Sequence, residues 1–185
     1  MEVFDTELAE VKILAPARIG DSRGFFSEVW NRRVFAEVAA DLDFVQDNHI
    51  RNPRKGTLRG LHYQVAPAAQ GKLMRVTRGA IFDVAVDIRR GSPRFGRHAA
   101  VVLSADNWRQ LWVPPGFAHG YCTLEDHTEV QYKVTDFYSP AHERGVVWDD
   151  PALGIAWPIA DVTMAERDRA LPRLAAQADI FEFEP

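Results

Sequence analysis

Short runs of apolar and aromatic residues recur along the middle of this chain, and each is cut by turn formers before it reaches ordinary helix length. The runs are 25–30 (FFSEVW), 71–79 (GKLMRVTRG), 80–88 (AIFDVAVDI), 98–103 (HAAVVL), 109–113 (RQLWV) and 127–135 (HTEVQYKVT). Between them stand Gly79, Gly91-Ser92-Pro93, Asp106-Asn107 and Pro114-Pro115-Gly116. Glycine supplies the positive φ of tight turns and proline cannot donate to a ladder, so this punctuation favours an antiparallel sandwich or barrel. The expected fold class is all-β. Within 82–88 the alternation puts Phe82, Val84, Val86 and Ile88 on one face and Asp83, Ala85 and Asp87 on the other. The first face is expected to line the core.

Two segments outside this centre read as helical. One covers 32–42, where Val34, Phe35, Val38 and Leu42 have helical spacing, and a shorter one covers 165–170, ended by Pro172. There is no fixed-period repeat, no low-complexity tract and no linker between two cores, and 67–70 reads as a loop inside the domain. A chain of 185 residues is the usual size for one domain, so a single domain over 1–185 is expected.

Composition removes several classes of function. With 46% hydrophobic and 26% charged residues the chain is ordinary for a soluble globular protein. A net charge of −4 sets an unfavourable field for nucleic acid or an anionic membrane, so neither partner is expected. The longest apolar stretch is broken by Asp83 and Asp87, which leaves no candidate for a spanning helix of about 20 residues. The opening MEVFDTELAEVKI carries acids where a signal peptide needs a basic segment, so a cytoplasmic location is expected. Cys122 is the only cysteine, which rules out an intrachain disulfide or a thiolate zinc cluster and points to a small buried hydrophobe.

The densest chemical signal is Lys55-Gly-Thr-Leu-Arg-Gly-Leu-His-Tyr-Gln64, with Lys72 eight residues on. Strict alternation sends Arg59, Leu61 and Tyr63 to one face and Gly60, His62 and Gln64 to the other, so Arg59 and His62 share a cavity only if Gly60 makes a bulge. Histidine suits proton transfer at neutral pH, although a hydrogen-bonded core or surface histidine is the plainer alternative. Pro114-Pro-Gly-Phe-Ala-His119 has the Pro-x-Gly-x-x-His spacing of the second metal motif of cupins. The first motif would need His-x-His, and here the corresponding place reads His62-Tyr63-Gln64, so no metal site is expected. Tyr132 shares a strand face with Val130 and Val134, as a core tyrosine would. Arg23, in Asp21-Ser-Arg-Gly-Phe-Phe-Ser-Glu28, suits a phosphate through its planar fork and suits a surface salt bridge equally. Without a Walker-type or dinucleotide-type glycine loop, a nucleotide would be held by arginines and stacking aromatics.

Taken together, Asp21-Ser-Arg-Gly-Phe-Phe-Ser-Glu28, Gln46-Asp-Asn-His49, Leu58-Arg-Gly-Leu-His-Tyr-Gln64, Gln70-Gly-Lys72, Asp83-Val-Ala-Val-Asp87, Gly91-Ser-Pro, Pro115-Gly-Phe-Ala-His-Gly120, Tyr132-Lys133 and Trp148 closely resemble the dTDP-4-dehydrorhamnose 3,5-epimerase family. Order and spacing agree from about residue 3 to 175. The resemblance implies a cupin-type β jelly roll with a few short peripheral helices, a homodimer, no cofactor or metal, and a dTDP-linked 4-keto-6-deoxy sugar as substrate. It makes His62 the general base, Asp168 the carboxylate that orients it, Lys72 the cation facing the enolate oxygen and Tyr132 the acid on the opposite face. Arg23, Glu28, Gln46, Asn48, Arg59, His119, Tyr138, Glu143 and Arg167 match positions that hold the nucleotide, its diphosphate or the sugar.

The chain also departs from the family pattern. Where many members have Asn-x-Ser-x-Ser it has Asn48-His-Ile50-Arg-Asn52, and Ala165 and Arg167 replace the usual Ser and Lys. These changes bear on whether C3, C5 or both are epimerised, so a mono-epimerase remains open. A metal-dependent cupin or a non-catalytic sugar-nucleotide binder are the alternatives of other classes.

Overall fold

The computed structural model describes residues 1–184. In chain order its strands are β1 (Glu2–Asp5), β2 (Lys12–Ala15), β3 (Ile19–Asp21), β4 (Gly24–Phe26), β5 (Gln46–Asn52), β6 (Leu58–Gln64), β7 (Lys72–Arg78), β8 (Ala80–Asp87), β9 (Arg89–Arg90), β10 (His98–Ser104), β11 (Gln110–Val113), β12 (Phe117–Thr123), β13 (Thr128–Val134), β14 (Glu143–Gly145) and β15 (Phe181–Glu182). Two short helices, α1 (Arg32–Val38) and α2 (Glu166–Arg169), lie outside the sheets. The all-β jelly-roll expectation agrees with this architecture.

A six-stranded sheet, ordered β1-β2-β11-β7-β13-β5, faces a five-stranded sheet, ordered β10-β8-β12-β6-β14. Neighbouring strands within both are antiparallel. Apolar side chains meet between the layers: Met74, Val76, Leu111, Val113 and Val130 from one sheet oppose Ile81, Ala85, Leu103, Phe117 and Tyr121 from the other. Each fully buried large side chain among these contributes about 1.5–3 kcal/mol relative to exposure. This inner layer fills one end of the sandwich and leaves the other end open as a cavity.

The inner face of β8 is not the one that alternation suggested. Ile81 and Ala85 point between the sheets, and Val84, Val86 and Ile88 pack outward under Val146, Leu153 and Leu174 of the C-terminal segment. Both faces of β8 are therefore dry. Alternation separates the two faces of a strand, but a second apolar cover makes the outward face look like a core face. The inward face carries Asp83, with none of its surface exposed.

Helix α1 starts where the Asn31 side chain accepts from the backbone N–H groups of Arg33 and Val34, at 3.0 and 3.4 Å. It buries Phe35 against Trp112 and Phe44, with ring centroids 5.1 and 5.2 Å away. The helix stops at Val38, short of the expected residue 42, because Ala39 leaves helical geometry with φ −136° and the chain turns to bring Phe44 onto the same cluster. The run at 25–30 is likewise strand only through Phe26. Beyond it Trp30 folds back against Phe44, with ring centroids 5.6 Å apart. The 165–170 helix is realised as α2. No described helix is long and apolar enough to cross a membrane. Cys122 is buried, and burial pushes its thiol up to about 11, as suits an inert core position.

Candidate active site

The open end of the sandwich holds a cavity of about 520 Å³, walled by β5, β13 and β7 on one side and β6, β12 and β14 on the other. Its shape depends on a bulge. His119 of β12 pairs with His62 and Tyr121 pairs with Arg59, so Gly60 and Leu61 together face the single residue Gly120. Gly60 has φ +117°, and a Cβ there would lie 2.6 Å from Gly120 Cα and 2.7 Å from the His119 carbonyl oxygen. Only glycine fits. The extra residue turns both Arg59 and His62 toward the cavity, as the sequence required of Gly60.

Asp168, brought in by α2 and 3% exposed, meets His62 from outside the sheet. Its Oδ1 lies 2.9 Å from His62 Nε2, and Oδ2 accepts from the Gly60 backbone N–H at 3.4 Å. Burial raises the carboxyl pKa, but the His62 hydrogen bond and charge, the Gly60 N–H and the Arg167 charge together outweigh it and leave the pKa lowered. An ionised partner on Nε2 fixes the proton there and leaves the Nδ1 lone pair as the basic site.

Lys72 enters from β7, its Nζ donating to the His62 carbonyl oxygen at 3.0 Å. Burial lowers its pKa to about 8, while Asp83 and Glu143 pull it back up. Tyr132, from β13, shares the cavity. Burial raises its pKa, the Arg59 charge lowers it, and Glu143 and Tyr138 raise it further, so the hydroxyl keeps its proton at neutral pH. Tyr132 is thus a cavity tyrosine, partly exposed on the inner face of its strand.

Polar groups continue from this centre to the mouth. His119 Nε2 lies 2.5 Å from Asp83 Oδ1, and Asp83 Oδ2 is buried without a protein partner. Tyr138 donates through its hydroxyl to Glu143 Oε2 at 2.9 Å, and that same oxygen is 3.7 Å from Arg167 Nη1. Gln46 donates to Asn48 Oδ1 at 2.9 Å and accepts from the Tyr138 backbone N–H at 3.1 Å. Arg59 donates through Nε to Asn52 Oδ1 at 3.0 Å. Among the described residues no group of three His, Cys, Asp or Glu side chains is placed to hold a metal ion.

Of the residues singled out from the sequence, His62, Lys72, Tyr132, Asp168, Gln46, Asn48, Arg59, His119, Tyr138, Glu143 and Arg167 all line this one cavity. Arg23 and Glu28 do not. Arg23 sits in the exposed β3–β4 hairpin, its side chain 88% accessible and paired with Asp21, and Glu28 is exposed just beyond it.

The model of the dTDP-4-dehydrorhamnose 3,5-epimerase family matches residues 5–176. The chain belongs to the dTDP-4-dehydrorhamnose 3,5-epimerase family. It is 52% identical over 169 residues to the dTDP-4-dehydrorhamnose 3,5-epimerase of Shigella flexneri, covering 91% of this chain and 93% of that one. It is 51% identical over 183 residues to the Pseudomonas aeruginosa protein of the same name, covering 98% and 99%. The crystal structure of dTDP-6-deoxy-D-glucose-3,5-epimerase from Legionella pneumophila in complex with dTDP-4-keto-L-rhamnose superposes with a TM-score of 0.95 at 42% identity, over 100% of this chain and 99% of that one.

For this member of the epimerase family, sequence reasoning missed Asp83 and Tyr121 in the cavity region. Asp83 had a readable signal, a carboxylate inside an otherwise apolar strand. Tyr121 had none, since an aromatic on a buried strand is ordinary core.

Proposed function

We propose that the chain epimerises dTDP-4-dehydro-6-deoxy-D-glucose at C3 and C5, giving dTDP-4-dehydro-L-rhamnose, by proton abstraction and return beside the 4-ketone. The observation that carries this reading is the convergence of the His62–Asp168 pair, Lys72 and Tyr132 on one cavity from four separate elements, β6, α2, β7 and β13. His62 Nδ1 takes the proton from carbon, the C–H electron pair becomes the enolate, and the charge collects on the 4-oxygen. A carbon acid of this kind is too weak for imidazole unless that oxyanion is stabilised as it forms, which is the task of the Lys72 ammonium in a water-poor site. Tyr132 then delivers its hydroxyl proton to the same carbon from the opposite face, and solvent resets both groups. Because the 4-ketone acidifies both neighbours, the same set of groups serves C3 and C5.

Arg59 and His119 supply cationic and donor groups for the diphosphate, and Tyr138, 51% exposed at the mouth, offers a ring for the base to stack on. No cofactor takes part in this scheme. The working protein is a single-domain, cytoplasmic homodimer in this reading. Support for the dimer comes from β3 and β4, whose six residues are all exposed and include Ile19, Phe25 and Phe26 at 69%, 53% and 69% accessible. Apolar side chains so displayed suit burial by a second copy. That arrangement would let Arg23 and Glu28 serve the partner's cavity.

The test is incubation with dTDP-4-keto-6-deoxy-D-glucose in deuterated water, reading label position by NMR and mass spectrometry. Deuterium at C3 and C5 with inverted product is expected. Label at a single carbon would make the protein a mono-epimerase, and no label with nucleotide bound would remove the catalytic reading.

A further inference from the structure

Asn52 is a fully buried polar residue that the proton-transfer chemistry makes no use of. It lies at the end of β5 with none of its surface exposed, on the inward side shared with Gln46, Asn48 and Ile50. A buried side-chain amide has to fill its donor and acceptor sites or lose stability. Here Nδ2 donates to the Thr128 carbonyl oxygen at 3.3 Å and lies 3.4 Å from the Tyr121 hydroxyl. These contacts fix the amide plane and turn Oδ1 toward Arg59 Nε, from which it accepts at 3.0 Å, with the Tyr121 hydroxyl a longer donor at 3.5 Å.

A guanidinium is a rigid planar fork, so fixing Nε fixes the whole plane. Arg59 Nη1 and Nη2 donate to no other described residue, and the side chain lines the cavity. We propose that Asn52 is a positioning residue for anion recognition: its amide oxygen holds the Arg59 plane so that both terminal nitrogens form a ready-made fork for a diphosphate. This rests on the nucleotide-diphosphate reading of the cavity. Serine at this position has a shorter reach from the strand and cannot hold Arg59 Nε in the same way.

Calorimetric titration of dTDP and of thymidine into wild type, Asn52→Ser, Arg59→Ala and the double variant tests the proposal. Serine is smaller than asparagine and keeps a polar group at the site, and Asn52→Thr serves in its place if the serine variant melts early. Expected is roughly tenfold weaker dTDP binding by Asn52→Ser, with thymidine affinity unchanged, as for a weakened charge-assisted hydrogen bond. In the Arg59→Ala background the serine change should add nothing, and in turnover it should raise KM with kcat unchanged. Equal losses in both backgrounds, or equal losses for thymidine and dTDP, would reduce Asn52 to a structural role and overturn the proposal. Normal dTDP binding by Asn52→Ser beside weak binding by Arg59→Ala would overturn this inference alone. Folded wild type that does not bind dTDP would overturn the nucleotide reading with it.

Discussion

Lys72 has to carry its charge into a cavity where burial disfavours charge, and its pKa of about 8 measures how closely those demands are balanced. In the proposed reaction only the ammonium form stabilises the enolate oxygen. Raising the pH removes the proton, so the alkaline limb of the kcat profile should fall above about pH 8. Lys72→Arg should carry activity to higher pH, since a guanidinium does not deprotonate in that range. A profile flat through pH 9.5 would take Lys72 out of the rate-determining charge stabilisation. Tyr132 carries a different prediction. Tyr132→Phe removes the return proton and leaves abstraction intact, so inversion should drop by about 10²–10⁴-fold while wash-out of substrate label by solvent persists. If inversion and wash-out fell together, Tyr132 would be acting before the enolate forms. His62 and Tyr132 were readable because proton-transfer groups stood inside matched motifs. The Arg59–Asn52 contact was not, because it joins β6 to β5 in the facing sheet, and no local spacing rule reveals which side chains of two sheets meet.

Among the elements, β6 decides whether the site exists. A regular strand would send Arg59 and His62 to opposite sides, and the two-for-one pairing opposite Gly120 brings them to the same side. Gly60→Ala should therefore act on stability and chemistry together. The positive φ alone costs on the order of 1–3 kcal/mol for a side chain that cannot relax, and the contacts at 2.6 and 2.7 Å are to backbone. A lower melting temperature and a kcat loss beyond that of any equally destabilised core variant are expected, and wild-type kcat in a folded Gly60→Ala protein would show that the bulge does not set the geometry. Most strands were legible because period-2 alternation and glycine or proline turns are local signals. The inward face of β8 and the end of α1 were not, because each is decided by distant apolar cover: the C-terminal segment in one case, and Phe44 folding onto Phe35 and Trp112 in the other.

At the scale of the whole molecule, one chain assembles eleven of the thirteen residues its sequence suggested around a single cavity and leaves Arg23 on an exposed hairpin and Glu28 exposed just beyond it. If those two residues hold substrate, they do so in another copy's cavity, and that has a consequence for mixed dimers. An Arg23→Ala subunit keeps His62 but cannot supply Arg23 to its partner, while a His62→Ala subunit has the converse defect. Each homodimer should be poorly active. In a heterodimer the cavity that retains His62 would receive Arg23 from the other subunit and work, while the opposite cavity would lack both. Random exchange at equal amounts makes half the dimers mixed, with one working site of two, so activity should recover to about a quarter of wild type for an isologous dimer. If each hairpin served its own cavity, no combination would yield an intact site and mixing would recover nothing. The rise has to follow subunit exchange in time, because only exchange creates the mixed cavity, so an immediate gain on mixing would count against the crossed arrangement.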